Sequence, residues 1–347
     1  MKSNYTINSE SKRELERLLL ANNQISFEYC VKRVLRGKLP RKDVAFWPNA
    51  QIVHAYSFDT SYHNAIKQII SLWERRRFVI TEYDDVLMAY VLLEKTTLLN
   101  DEQKIKITDS IMTSLHPYMG RMIPYRRNNP NVFYADLLGM VPQFLVSFGI
   151  KKQDEATISW GVQQFVSFME SATDAETGLP YHAYNNAGNE KLGIIGWGRA
   201  MGWIMTGLAE SIVSLDGKHP KEQELLLGYY EKYLEMAEKY QRKDGGISWQ
   251  LQALDGPLDS SATAMILQSM CIMNASLGID KKFNKIMQRM FLCLDKCYAD
   301  GKVKNCSAEC GGIGVYPQNY GSFAWSVAPY VICKALTSKK EIGDVER

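Results

Sequence analysis

Two kinds of helical segment alternate along this 347-residue chain, and no other feature restricts its fold as much. One kind is amphipathic and charged. In SYHNAIKQIISLWERR (61–76), Ile66, Ile69, Ile70 and Trp73 recur at i, i+3, i+4 and i+7, and the opposite face is largely polar. DEQKIKITDSIMTSL (101–115), QDEATISWGVQQFVSFMES (153–171), PKEQELLLGYYEKYLEMAEKYQ (220–241) and DKKFNKIMQRMFLCLDKCY (280–298) follow the same rule. The other kind is nearly uncharged and rich in Ala, Gly and Ser. It comprises DDVLMAYVLLEKT (84–96), DLLGMVPQFLVSFG (136–149), AMGWIMTGLAESIVSL (200–215), SSATAMILQSMCIMNASLG (260–278), SFAWSVAPYVICKAL (322–336) and, more weakly, PNAQIVHAYSF (48–58). A helix that is apolar on most faces is buried on most faces, and small residues let its neighbours approach.

The uncharged segments begin 36 to 64 residues apart, enough for one inner helix, one outer helix and two loops. Such a period reads as stacked helical hairpins. SESKRELERLLLANNQISFEYCVKRVL (9–35) supplies a sixth outer helix. The expected fold is all-α: a single-domain (α/α)6 barrel over residues 1–347, with 1–40 closing the outer ring. An open solenoid would need polar capping repeats, and none is apparent. No linker divides the chain, and no alternating run is long enough to suggest a sheet.

Charge and cysteine content narrow the chemistry. The formal net charge is +3 and no basic stripe is present, so nucleic acid is not the expected partner. No segment reaches the roughly 18 apolar residues of a membrane span, and the N-terminus lacks a signal-peptide pattern; a cytoplasmic protein is expected. Seven cysteines, an odd number in a long chain, suit reduced and mostly buried thiols. Cys293 and Cys297, with Cys306 and Cys310, have a spacing that zinc could use, but Cys293 falls on the apolar face of a helix. Neither a metal nor a cofactor is expected, nor an obligate assembly beyond a monomer or weak homodimer.

The aromatic and polar oddities collect at or just before the uncharged helices. They are Trp47 and His54; Asp84 and Asp85; Tyr134 and Asp136; His182, Trp197, Arg199 and Trp203; Trp249 and Asp259; Tyr316, Tyr320 and Trp325. In a toroid the inner helices start at one end, so these residues converge on one mouth. Aromatic faces stack on sugar rings, and Arg or His can hold a carboxylate. An acidic sugar is therefore the expected ligand. Helix-start aspartates also serve as N-caps, which gives Asp84, Asp136 and Asp259 a structural reading too. No G-x-S-x-G elbow or H-E-x-x-H helix occurs, and the glycines of GIIGWG lack dinucleotide spacing.

Four segments in order, VFYADLLGMVPQFL (132–145), TGLPYHAYN (177–185), GWGRAMGW (196–203) and GGISWQLQALDGPLDSSATAMIL (245–267), resemble the unsaturated rhamnogalacturonyl and glucuronyl hydrolases of glycoside hydrolase families 105 and 88, family 105 more closely. The resemblance runs from about residue 80 to the C-terminus. It implies an (α/α)6 barrel acting on short pectin-derived oligosaccharides that end in a 4,5-unsaturated uronate. The implied reaction hydrates the C4=C5 vinyl ether, and the usual glycosidase carboxylate spacings do not transfer. By this resemblance Asp136 is general acid and then base, with a raised pKa expected. Asp84 is the second catalytic carboxylate, with Asp85 an alternative match. His182 contacts substrate, Arg199 binds substrate or orients a carboxylate, and Trp197 and Trp203 wall the sugar. Trp249 and Tyr134 complete the expected binding set.

The family usually has Gly-Asn where this chain has Ala200-Met201. That departure raises an altered subsite, a strained backbone or a non-catalytic sugar-binding relative as expectations to test. Another toroid enzyme, a polysaccharide lyase or sugar epimerase, is the remaining alternative.

Overall fold

The computed structural model describes residues 5–23, 44–278 and 281–345. Six inner helices carry the uncharged sequence: α2 (Trp47–Tyr56), α4 (Val86–Glu94), α7 (Pro142–Lys152), α9 (Gly198–Leu215), α11 (Ser260–Ser276) and α13 (Ala324–Val345). Between them run the charged helices α3 (His63–Glu74), α5 (Asp101–Leu115), α8 (Glu155–Ala172), α10 (Pro220–Lys239) and α12 (Asn284–Cys297). Helix α1 (Ser9–Asn23) packs against α13 and α2. The remainder of the expected N-terminal helix, 24–35, lies outside the described residues.

The burial pattern follows from composition. Helix α3 buries Ile66, Ile69, Ile70 and Trp73 and leaves its other face to solvent. Every residue of α2 is buried, as is every residue of α11 from Ser260 to Met273. Small residues bring the inner helices together. A Cβ on Gly207 of α9 would lie 1.9 Å from the Leu138 carbonyl oxygen, so only glycine fits there.

Two expectations need correction. The segment 136–149 is not one helix: α6 (Ala135–Leu138) stops at Gly139, and α7 restarts at Pro142. Gly139 lies against Trp203, where a Cβ would come within 2.6 Å of the indole, and proline is favoured in a first turn but not a helix interior. Asp136 therefore sits on a one-turn helix ahead of the inner ring.

Strands are also present. β1 (Val132–Tyr134), β2 (Tyr181–Asn185) and β3 (Glu190–Ile195) form an antiparallel sheet in the order β1-β2-β3. Tyr134 faces Ala183 across β1 and β2. β2 buries three consecutive residues and β3 buries none, so neither alternates, and the β2–β3 register slips between Tyr181 and Ala183, at His182. Such a bulge re-aims the side chain it carries.

Candidate active site

His182 and Asp136 are the centre of the mouth. His182 Nε2 lies 2.8 Å from Asp136 Oδ2, and its Nδ1 lies 2.8 Å from the Tyr316 hydroxyl. The histidine is only 1% exposed, whereas the Asp136 side chain keeps 14%. Three aromatic rings surround the imidazole. Trp197 meets it at 4.5 Å and Tyr134 at 5.1 Å, both edge-on, and Tyr316 lies tilted at 5.6 Å. Trp249, half-buried, stands edge-on to Tyr316 at 5.9 Å. Burial raises the Tyr134 phenol, and the Asp136 charge adds to that.

Asp84 and Asp85 occupy a short turn ahead of α4 and have different tasks. Asp85 Oδ2 accepts the backbone N–H groups of Thr81 at 2.6 Å and Glu82 at 3.2 Å, completing a capping box with Glu82. Asp84 faces Arg126, with Nη1 at 3.2 and 3.3 Å from its two oxygens. The Arg126 guanidinium lies over Tyr125 at 4.3 Å, and Tyr125 stacks on Tyr134 at 4.8 Å. Desolvation raises the Tyr125 phenol, and Asp84, Asp136 and Glu309 raise it further against the pull of Arg126. Tyr125 thus lies in the field of three carboxylates and one guanidinium.

The arginine of GWGRAMGW is a structural clamp. Its guanidinium donates to the Ser307 carbonyl at 3.0 Å, the Ser307 hydroxyl at 2.8 Å and the Ala308 carbonyl at 3.0 Å. It stacks over Trp197 at 4.6 Å and Trp325 at 5.6 Å. Ser307 also donates its hydroxyl to Asp259 Oδ2 at 2.7 Å, and the Trp325 indole donates to the Ser307 carbonyl at 2.9 Å. Asp259 is wholly buried and caps α11 through Ser261. A buried charge needs such partners, and Arg199 faces Asp259 through one shared hydroxyl.

This clamp fixes one end of loop 307–316, and the Tyr316–His182 contact fixes the other. Gly312 and Gly314, at φ 124° and 81°, let the loop fold back into the Gly312–Val315 bridge. The loop carries Glu309, which is exposed. Partial desolvation pushes its carboxyl up, Arg199 and Arg126 oppose that, and Asp136 adds to it. Cys310, next along, is raised to about 11, chiefly by desolvation.

The expected residues fall into two groups. Asp84, Asp136, Tyr134, His182, Trp197 and Trp249 come together at the mouth with Tyr316. Trp203 lies deeper: it is 2% exposed, packs edge-on to Trp47 at 5.4 Å and lines an interior cavity. Ala200 and Met201 are also wholly buried and helical, so neither a subsite contact nor a positive-φ strain arises at this departure. Arg126 and Glu309 escape the sequence reading, since both lie on loops with no periodicity or motif. Among the described residues, no three His, Cys, Asp or Glu side chains gather at metal-ligand spacing.

A six-hairpin toroid with carboxylates and aromatic rings gathered at one end suits a carbohydrate-active enzyme, and the family match fixes the class as glycosidase. The chain belongs to Glycosyl Hydrolase Family 88, whose model matches residues 45–333. It is similar to the unsaturated rhamnogalacturonyl hydrolase YesR of Bacillus subtilis (strain 168), at 28% identity over 180 residues. That match covers 52% of this chain and spans about half of the relative, 50% of its length. Its fold is similar to that of a possible GH105 member from Salmonella enterica serovar Paratyphi A, with a TM-score of 0.77, 17% identity and 98% and 97% of the two chains covered. It is also similar in fold to an unsaturated glucuronyl hydrolase from Bacillus sp. GL1, with a TM-score of 0.64, 17% identity and 86% of each chain covered.

Proposed function

We propose that this glycoside hydrolase removes a terminal 4,5-unsaturated uronate from short pectin-derived oligosaccharides by hydrating the C4=C5 vinyl ether. The observation that carries the reading is Asp136, partly open at the mouth and held by a buried histidine. In this scheme the Asp136 carboxyl gives its proton to C4, and the ring oxygen supports positive charge at C5. Water adds at C5 and returns a proton to Asp136. The hemiketal then opens and releases the aglycone. A positioned proton-transfer group of this kind contributes about 10²–10⁴-fold.

The other roles follow from charge and access. Asp84 is the second catalytic carboxylate, and its pairing with Arg126 leaves a guanidinium edge that suits a uronate carboxylate. His182 orients Asp136. Tyr134 and Trp249 offer partly exposed rings for sugar stacking. Arg199 and Trp197 support loop 307–316 and the back of His182, while Asp85 holds the Asp84 turn. The name of the relative YesR supports a rhamnose-bearing aglycone.

We further take 1–347 as one catalytic unit acting as a monomer or weak homodimer, with 1–40 completing the outer ring. The packing of α1 on α13 and α2 supports that view. No helix among the described residues is long and apolar enough to cross a membrane. The six described cysteines are all unpaired, which suits a reducing compartment such as the cytoplasm.

The test is incubation with an unsaturated galacturonyl-rhamnose disaccharide, followed by ultraviolet absorbance. Loss of the alkene signal with release of free rhamnose is expected. An unchanged signal with every unsaturated uronide tried would refute the reading.

A further inference from the structure

His182 has a hydrogen-bond partner at each ring nitrogen, and the two partners are chemically different. Asp136 Oδ2 faces Nε2 and the Tyr316 hydroxyl faces Nδ1, each at 2.8 Å. Once Asp136 is ionised, as it is after its proton has passed to C4, its oxygen only accepts, so Nε2 must carry the proton between them. In a neutral imidazole Nδ1 is then an acceptor and needs a donor. The backbone N–H of Ile194 donates to the same tyrosine oxygen at 3.3 Å, leaving the phenol proton available for Nδ1.

We propose that Tyr316 is a positioning residue for the reaction: its hydroxyl holds His182 as the Nε2–H tautomer and aims that N–H at Asp136. A carbonyl in its place would select the opposite tautomer and turn a lone pair toward the carboxylate. Burial pushes the Tyr316 phenol up to about 12, so the donor proton is retained across the neutral range. The surrounding backbone is shaped for this contact. The strand register slips at His182. Opposite, Gly193 has φ 78°, and a Cβ there would lie 2.5 Å from the Tyr316 hydroxyl and 3.0 Å from the His182 Cβ. Gly193 therefore leaves the space that the hydroxyl occupies, which gives the GIIGWG segment a purpose unrelated to nucleotides.

The link to catalysis rests on the role proposed above for Asp136, whereas the tautomer can be read without any substrate. Nitrogen-15 NMR of histidine-labelled protein reports it directly, with His182→Gln identifying the signal among the five histidines. The expected wild-type spectrum shows His182 as Nε2–H alone. Tyr316→Phe keeps the ring contacts with Trp197 and Trp249 and removes only the hydroxyl. It should give mixed tautomers and lower kcat on the unsaturated disaccharide about tenfold, with KM nearly constant. Gly193→Ala deletes no polar side chain, yet should shift the same resonance by displacing the hydroxyl. An Nδ1–H tautomer in the wild type, an unchanged tautomer in Tyr316→Phe, or a shifted tautomer with unchanged kcat would each overturn the proposal. Absence of turnover by the wild type would sink the hydrolase reading, while the spectra alone would still decide the tautomer.

Discussion

Two of the toroid's histidine–carboxylate neighbourhoods behave as opposites. At the mouth, His182 and Asp136 share a hydrogen bond with part of the carboxylate open. The second lies toward the far ends of the inner helices, three turns beyond Arg199 on α9, roughly 16 Å along the helix. There Glu210 accepts from Lys95 at 2.6 Å and from the Tyr90 hydroxyl at 2.9 Å, beside His54, around a cavity of about 20 Å³. Burial and then Lys95 lower His54 to about 4, against the opposing charge of Glu210. Burial raises Glu210, but Lys95, His54 and the tyrosine more than offset it. The residue types match at the two ends. What differs is access: Asp136 keeps part of its side chain open, whereas Glu210 is sealed among its partners.

The most severe expected effect is at the mouth. Asp136→Asn should lower kcat by about 10²–10⁴-fold with little change in unfolding temperature. Activity assays beside calorimetry read both. Glu210→Ala should do the reverse, costing about 3–5 kcal/mol in urea denaturation by stranding Lys95, with kcat per folded molecule nearly unchanged. If Glu210→Ala left stability intact and abolished turnover, the contrast between the two ends would fail.

Acid should expose the same contrast. His54 stays neutral in the folded state down to about pH 4, whereas the unfolded chain protonates it below its ordinary value of 6.5. The unfolded state binds more protons in that window, so the His54 contribution to stability is lost as pH falls. The full effect is at most roughly 3 kcal/mol. Urea titrations of His54→Gln should show a shallower decline over that range than the wild type.

Two milder substitutions sharpen the boundary between core and mouth. Met201→Asn should cost about 1–3 kcal/mol by burying an amide, without altering KM. A changed KM would return position 201 to the ligand site. Arg199→Lys removes the planar fork that grips Ser307 and Ala308. Hydrogen exchange over 307–310 should accelerate, and KM should rise about fivefold to tenfold.

The ring itself was legible because each helix had to declare how much of its surface is buried. Ile66, Ile69, Ile70 and Trp73 declare one buried face, and SSATAMILQSM declares burial all round. The break at Gly139 was not legible, because it depends on Trp203, which lies 64 residues further along. The sheet carrying His182 was hidden for a related reason: three short strands find their partners only after the hairpins assemble. At the site, aspartates and aromatics ahead of inner helices were visible as a class. The different partners of Asp84 and Asp85 were not legible, because only the folded turn shows which carboxylate bends back on its own backbone. Arg126 and Glu309 required the loops themselves.

The clamp from Asp259 through Ser307 to Arg199, and the one from Asp136 through His182 to Tyr316, both reach into the final hairpin. A growing polypeptide therefore contains Asp136 and His182 long before it contains Tyr316. The set closes only when the last segment docks, so a chain cut short by a few dozen residues would lack both Tyr316 and the last inner helix.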